Sequence, residues 1–171
     1  MLTGTITFLV SGHFSVSFEF MSLTTLHKIR HFAEEGRWKE IETFFNESLQ
    51  LRQVGARIDL SDPKKPSVWI TNVTEMHRGG IGGEAVNGGV ISMLTDLAIG
   101  LLGLSFAAEG MTATSHLSIH FVKPLMANQV ILEAELTEVI GNRIFGKCSV
   151  MNEKREVCAH ASGALAKGIK V

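Results

Sequence analysis

Residues 84–104, EAVNGGVISMLTDLAIGLLGL, begin with Glu84 and then set one carboxylate, Asp96, in the middle of an apolar run. An unpaired ionised carboxylate is costly to bury. Asp96 is therefore expected either to do chemistry or to be satisfied by Ser92, Thr95 or backbone donors. Gly88 and Gly89 open the run, and their lack of a Cβ lets another group approach the backbone closely. Their N–H groups sit at the positive end of the helix dipole, a setting that suits a carbonyl oxygen or a developing oxyanion. Asn87 precedes the pair, where its side chain can cap exposed N–H groups. Asp96 follows Gly89 by almost two helical turns, so it returns to nearly the same face roughly 10 Å along the axis. A ligand on that face would have its carbonyl at the glycine pair and its reacting carbon nearer Asp96. The spacing alone names no reaction.

Other reactive side chains point less clearly to a site. His116 and His120 share one face of an alternating segment but stand about 13 Å apart, too far to share an ion, and no metal is expected. Lys123, Arg143, Lys147, Lys154 and Arg155 suit phosphate binding and solvated strand ends equally well. HRGGIGG, residues 77–83, lacks the lysine and hydroxyl of a nucleotide-phosphate loop. Cys148 and Cys158 make no disulfide framework; one bridge across the C-terminal hairpin is geometrically possible, and two reduced, packed thiols of a cytoplasmic protein is the preferred reading.

The elements that must position Asp96 follow from periodicity. The 171 residues suffice for one cored domain, and a net charge of −1 gives no electrostatic reason to expect nucleic acid or an anionic membrane as partner. Residues 1–20 lack the basic start of a signal peptide and the continuous apolar run of a membrane span. They read as an upstream extension or loose tail before Met21. Residues 21–52 form a helical segment: Leu26, Ile29 and Phe32 precede Gly36, then Trp38, Ile41, Phe44, Phe45 and Leu49 fall on one face. In the third region, 53–171, short strands flank the turn SDPKKP before the apolar helix. After that helix, Ala113, Ser115, Leu117, Ile119 and Phe121 alternate with Thr114, His116, Ser118 and His120 in a strand closed by Pro124. A further strand and a hairpin turning at Asn152–Arg155 complete an α+β fold, a curved antiparallel sheet around one long helix.

VNGGVISMLTDLAIGLL, with the strand ending IHFVKP and the final hairpin, resembles the hotdog-fold acyl-CoA thioesterases. It is most similar to the PaaI-like branch of the 4-hydroxybenzoyl-CoA thioesterase superfamily. The resemblance covers about residues 54–167. It implies that Asp96 is the general base for thioester hydrolysis (less readily the nucleophile) and that Gly88, with Gly89, binds the thioester carbonyl. Thr114 would orient the lytic water, contributed by the partner chain of a homodimer or homotetramer with sites at the subunit interface. The substrate implied is a hydrophobic acyl-CoA, and no cofactor is implied. Two residues depart from the pattern. Asn87 stands where the family has histidine, and cannot titrate near neutrality. Ile81 stands where it often has asparagine or glutamine, with Glu84 as a nearby polar substitute. The alternative is a non-catalytic acyl-CoA-binding or ligand-sensing protein of the same fold. A hotdog hydratase ranks third, since no histidine lies between Gly88 and Glu109.

Overall fold

The computed structural model describes residues 23–79 and 83–169, so the expected upstream extension (1–20) and Ile81 lie outside the described residues. Three helices come first: α1 (Leu23–Glu34), α2 (Trp38–Asn46) and α3 (Leu49–Val54). Gly36, at φ +68°, supplies the left-handed backbone that lets the chain turn from α1 into α2. Strands β1 (Ala56–Asp59) and β2 (Ser67–Ile70) precede the central helix α4 (Gly88–Leu102), which tightens into a 3₁₀ segment over Gly103–Glu109. The strands β3 (Met111–Phe121), β4 (Val130–Ile140), β5 (Arg143–Asn152) and β6 (Val157–Ile169) follow. The six strands form one antiparallel sheet in the order β1-β2-β4-β5-β6-β3.

α4 packs on β2, β3, β4, β5 and β6 alike, which a single helix can do only if the sheet curves around it. Leu94, Ala98, Ile99 and Leu102 of α4 are buried in that trough. Two strand glycines let helix and sheet meet: a Cβ at Gly146 would collide with Leu102, and one at Gly163 would press on Ile99. Gly88–Glu109 has the length and composition of a bilayer span, but here it is the core helix that the sheet wraps.

The N-terminal helices are tied into this body by polar contacts as well as apolar ones. Ile29 and Ile41 are buried as the periodicity predicts. Phe44 and Leu49, expected on the same buried face, are exposed at 41% and 63%. Glu42 is buried instead, because its carboxylate accepts the Leu60 N–H at 3.2 Å and pairs with Lys39. The Asn46 amide acts as a short substitute strand: it donates to the Ile58 carbonyl at 3.0 Å and accepts the Ile58 N–H at 2.8 Å. These bonds satisfy part of the open edge of β1 and fix the last turn of α2. β3 forms the other sheet edge. Its register slips between Met111 and Ala113 and again between Thr114 and His116, so the expected alternation holds only further along, at half-buried Leu117 and Ile119.

Candidate active site

The start of α4 is set by a chain of hydrogen bonds that begins in the N-terminal helices. The buried His77 ring bonds the Val54 carbonyl through Nε2 at 2.8 Å and accepts the Thr74 N–H at Nδ1 at 2.9 Å. An N–H can only donate, so Nδ1 is the acceptor and Nε2 carries the hydrogen. The His77 carbonyl in turn accepts the Asn87 N–H at 2.8 Å. Between them the chain folds back, with Arg78 bridging Val86 and the Gly79 N–H donating to Ala85. Asn87 is thereby delivered to the end of α4 in an extended conformation, φ −61° and ψ 133°.

Asn87 is the helix cap: its Oδ1 accepts the Gly89 N–H at 2.7 Å. This corrects the expectation that both glycines offer donors to a ligand. Gly89 is committed to the cap, whereas the Gly88 N–H has no acceptor among the described residues. The Phe121 ring overlies Gly88, 3.6 Å from where a Cβ would stand.

Asp96 is exposed, which overturns its reading as an acid inside the core. The buried polar residue of the helix is its neighbour Thr95, whose hydroxyl donates to the Ile91 carbonyl at 2.7 Å. Ser92 makes the equivalent bond to the Gly88 carbonyl at 2.8 Å. Neither hydroxyl reaches Asp96, and no ion pair or hydrogen bond to it exists among the described residues. Gly89, Met93 and Asp96, at successive helical steps, form an exposed stripe along a helix whose other residues beyond Gly88 are buried or half-buried.

Asp96 borders a cavity of about 230 Å³ between the second half of α4 and the start of β3. Thr114 lines the same cavity, so the acid and a hydroxyl of one chain share it. The slip in β3 beside Thr114 turns Thr112, Ala113 and Thr114 together toward this space. Phe45 of α2 and Gly100 of α4 also line it. Neither stands out in the sequence as functional, although an uncapped glycine in mid-helix is a legible signal.

The remaining candidates are placed elsewhere. Glu84 is exposed, and it is its backbone carbonyl that receives Arg78. Lys123, Lys147 and Arg155 pair with Glu156, Glu135 and Glu133 on the surface. His120 lies opposite His160 across the β3–β6 ladder, and no metal-binding group of three or more ligands occurs among the described residues. Cys148 and Cys158 are both buried and unbridged.

Residues 83–159 match the family model described as thioesterase superfamily, a span that holds Asn87, Gly88, Asp96 and Thr114. No curated protein matches the chain in sequence. The fold is similar to the Escherichia coli PaaI protein from the phenylacetic acid degradation operon, with a TM-score of 0.67 and 16% identity over 84% of this chain and 98% of that one. A thioesterase from Haemophilus influenzae is similar at a TM-score of 0.66 and 13% identity, covering 77% of this chain and 90% of that one. A thioesterase family protein from Silicibacter pomeroyi matches at 0.66 and 18%, covering 77% and 98%.

Proposed function

We propose, from the premise that this chain is a PaaI-like hotdog protein whose residues 83–159 belong to the thioesterase superfamily, that it hydrolyses acyl-CoA thioesters with aliphatic or aryl acyl groups. The observation that carries the reading is a carboxylate, Asp96, in one cavity with Thr114, on a helix whose Gly88 N–H, like Asp96 itself, has no partner among the described residues. Asp96 removes a proton from a water oriented by the Thr114 hydroxyl. The water oxygen bonds to the thioester carbon as the carbonyl electrons shift to oxygen. The Gly88 N–H, backed by the helix dipole, meets that negative charge. The C–S bond then breaks, releasing the acid and the coenzyme A thiolate, which receives the proton held by Asp96. A thiolate leaves readily, so one base and one oxyanion donor suffice.

Gly88 and Asp96 of one chain are about 12 Å apart along α4, from eight residues at about 1.5 Å each. Donor and base must both lie within about 3 Å, or one water, of the reacting atoms. One chain therefore supplies Asp96 and Thr114, and a second copy supplies Asn87 and Gly88, in a two-fold homodimer or a tetramer built from it. The exposed Gly89–Met93–Asp96 stripe and the long open edge of β3 support such a pairing. The two buried free thiols suit a reducing, cytoplasmic setting.

The test is thiol release from acetyl-, hexanoyl-, dodecanoyl- and phenylacetyl-CoA by the wild type and by Asp96→Asn. Removing the base should lower kcat/KM by about 10²–10⁴-fold. The melting temperature should hold, since Asp96 is exposed and has no bonding partner among the described residues. Unchanged kcat/KM would overturn the assignment. Calorimetric binding with no thiol released would instead identify a non-catalytic acyl-CoA binder.

A further inference from the structure

Resting on the thioesterase reading above, we infer that the acyl group lies along α4 from Asp96, over Gly100, to Phe45. Phe45, a residue of the N-terminal helical segment, then sets the length of acyl chain accepted. Gly100 opens the case. Glycine in a helix interior is unfavourable relative to alanine, so it needs a reason. Other glycines around α4 have one: a Cβ at Gly103 would strike Thr112, and one at Gly146 would strike Leu102. At Gly100 a Cβ would meet nothing within 4 Å. Among the described residues nothing requires the missing side chain, yet the position lines the cavity one turn beyond Asp96. On this inference the clearance is room for a group from outside the chain.

The walls identify that group. Beyond Asp96 the helix side of the cavity is Leu97, Leu101 and Leu104. The pantetheine arm of coenzyme A carries two amides that such walls would leave unpaired, whereas an acyl chain loses nothing there. From Asp96 to Leu104 the helix rises about 12 Å, the scale of a medium-length chain or an aryl group with a short linker. Phe45 lines the cavity from another element, on an anchored turn. Its neighbour Asn46 is bonded both ways to Ile58, and its ring meets Phe44 edge-on at 6.0 Å. α2 thus bridges from β1 at one sheet edge to the cavity that β3 lines at the other.

The experiment measures kcat/KM for acetyl-, hexanoyl-, dodecanoyl- and phenylacetyl-CoA in wild type, Phe45→Ala, Phe45→Leu and Gly100→Ala. Shortening Phe45 should raise the dodecanoyl-to-hexanoyl ratio about tenfold or more, and Gly100→Ala should lower it by a similar factor. Phe45→Leu keeps the test alive if Phe45→Ala does not fold, and the helix itself favours Gly100→Ala. Ratios equal to wild type in all folded variants would overturn the inference. So would a Gly100→Ala variant that changes oligomeric state but not acyl preference, since the clearance would then belong to a second copy. If the wild type releases no thiol, the hydrolase reading fails separately. Calorimetric Kd values for the same thioesters then decide: a dependence on acyl length that moves in the variants upholds the channel, and one that does not move rejects it.

Discussion

The side-chain oxygen of Asn87 holds the Gly89 N–H at 2.7 Å, while the neighbouring Gly88 N–H has no acceptor among the described residues. Cap and oxyanion site are therefore adjacent but separable. Asn87→Asp should keep the cap, because a carboxylate accepts the same N–H and is favoured by the helix dipole. It also sets a negative charge beside the developing oxyanion, so kcat should fall at least about tenfold while the melting temperature holds or rises. Asn87→Ala should lose about 1 kcal/mol of stability, a drop of about 2–4 °C. An Asn87→Asp variant as active as wild type would remove Gly88 from the mechanism.

Cys148 supplies a pH test of the core. Burial, with the Glu133 carboxylate adding to it, pushes its thiol up to about 12. The unfolded chain loses this proton near the ordinary thiol value of about 8.5. The folded state keeps it, so at alkaline pH the unfolded chain binds fewer protons and stability falls as pH rises from about 8.5 toward 12. The maximum slope is about 1.4 kcal/mol per pH unit, or about 2 kcal/mol by pH 10. The chain has no tyrosine to titrate in the same range. Cys148→Ala should be the less stable protein at pH 7.5 and lose less than wild type on going to pH 10. Parallel urea midpoints for the two proteins across that range would contradict the buried thiol.

The features legible in the sequence are those written locally. Asn-Gly-Gly ahead of an apolar run specifies a capped helix, and the turn at Asn152–Arg155 specifies the β5–β6 hairpin; both occur where the residues place them. Asp96 was legible as the odd residue of its helix but not as an exposed one. Periodicity reports that a helix is apolar on most sides, not which stripe is left for a ligand or second copy. Thr114 is turned toward the cavity beside a slip in the β3–β6 register, which no alternation pattern encodes. Phe45 depends on Asn46 reaching Ile58, a tertiary tether invisible in the α2 periodicity, which groups Phe44 and Phe45 on one face. The Gly100 clearance depends on what is absent around it.

Met93 decides whether two chains build one site. In a two-fold pairing that sets Gly88 opposite the partner's Asp96, the axis passes midway between them, beside Ser92 and Met93. Met93 is 46% exposed in the single chain although it belongs to the core helix. Met93→Arg would bring two like charges together at the axis with nothing to neutralise them, while remaining solvated in the monomer. The expected result is a shift to monomer in sedimentation and loss of most thiol release, with helix and sheet content unchanged by circular dichroism. Met93→Leu, which keeps apolar area and volume, should retain both dimer and activity. A monomeric Met93→Arg protein with wild-type kcat/KM would show that one chain is sufficient and would refute the assignment of Gly88 and Asp96 to different subunits.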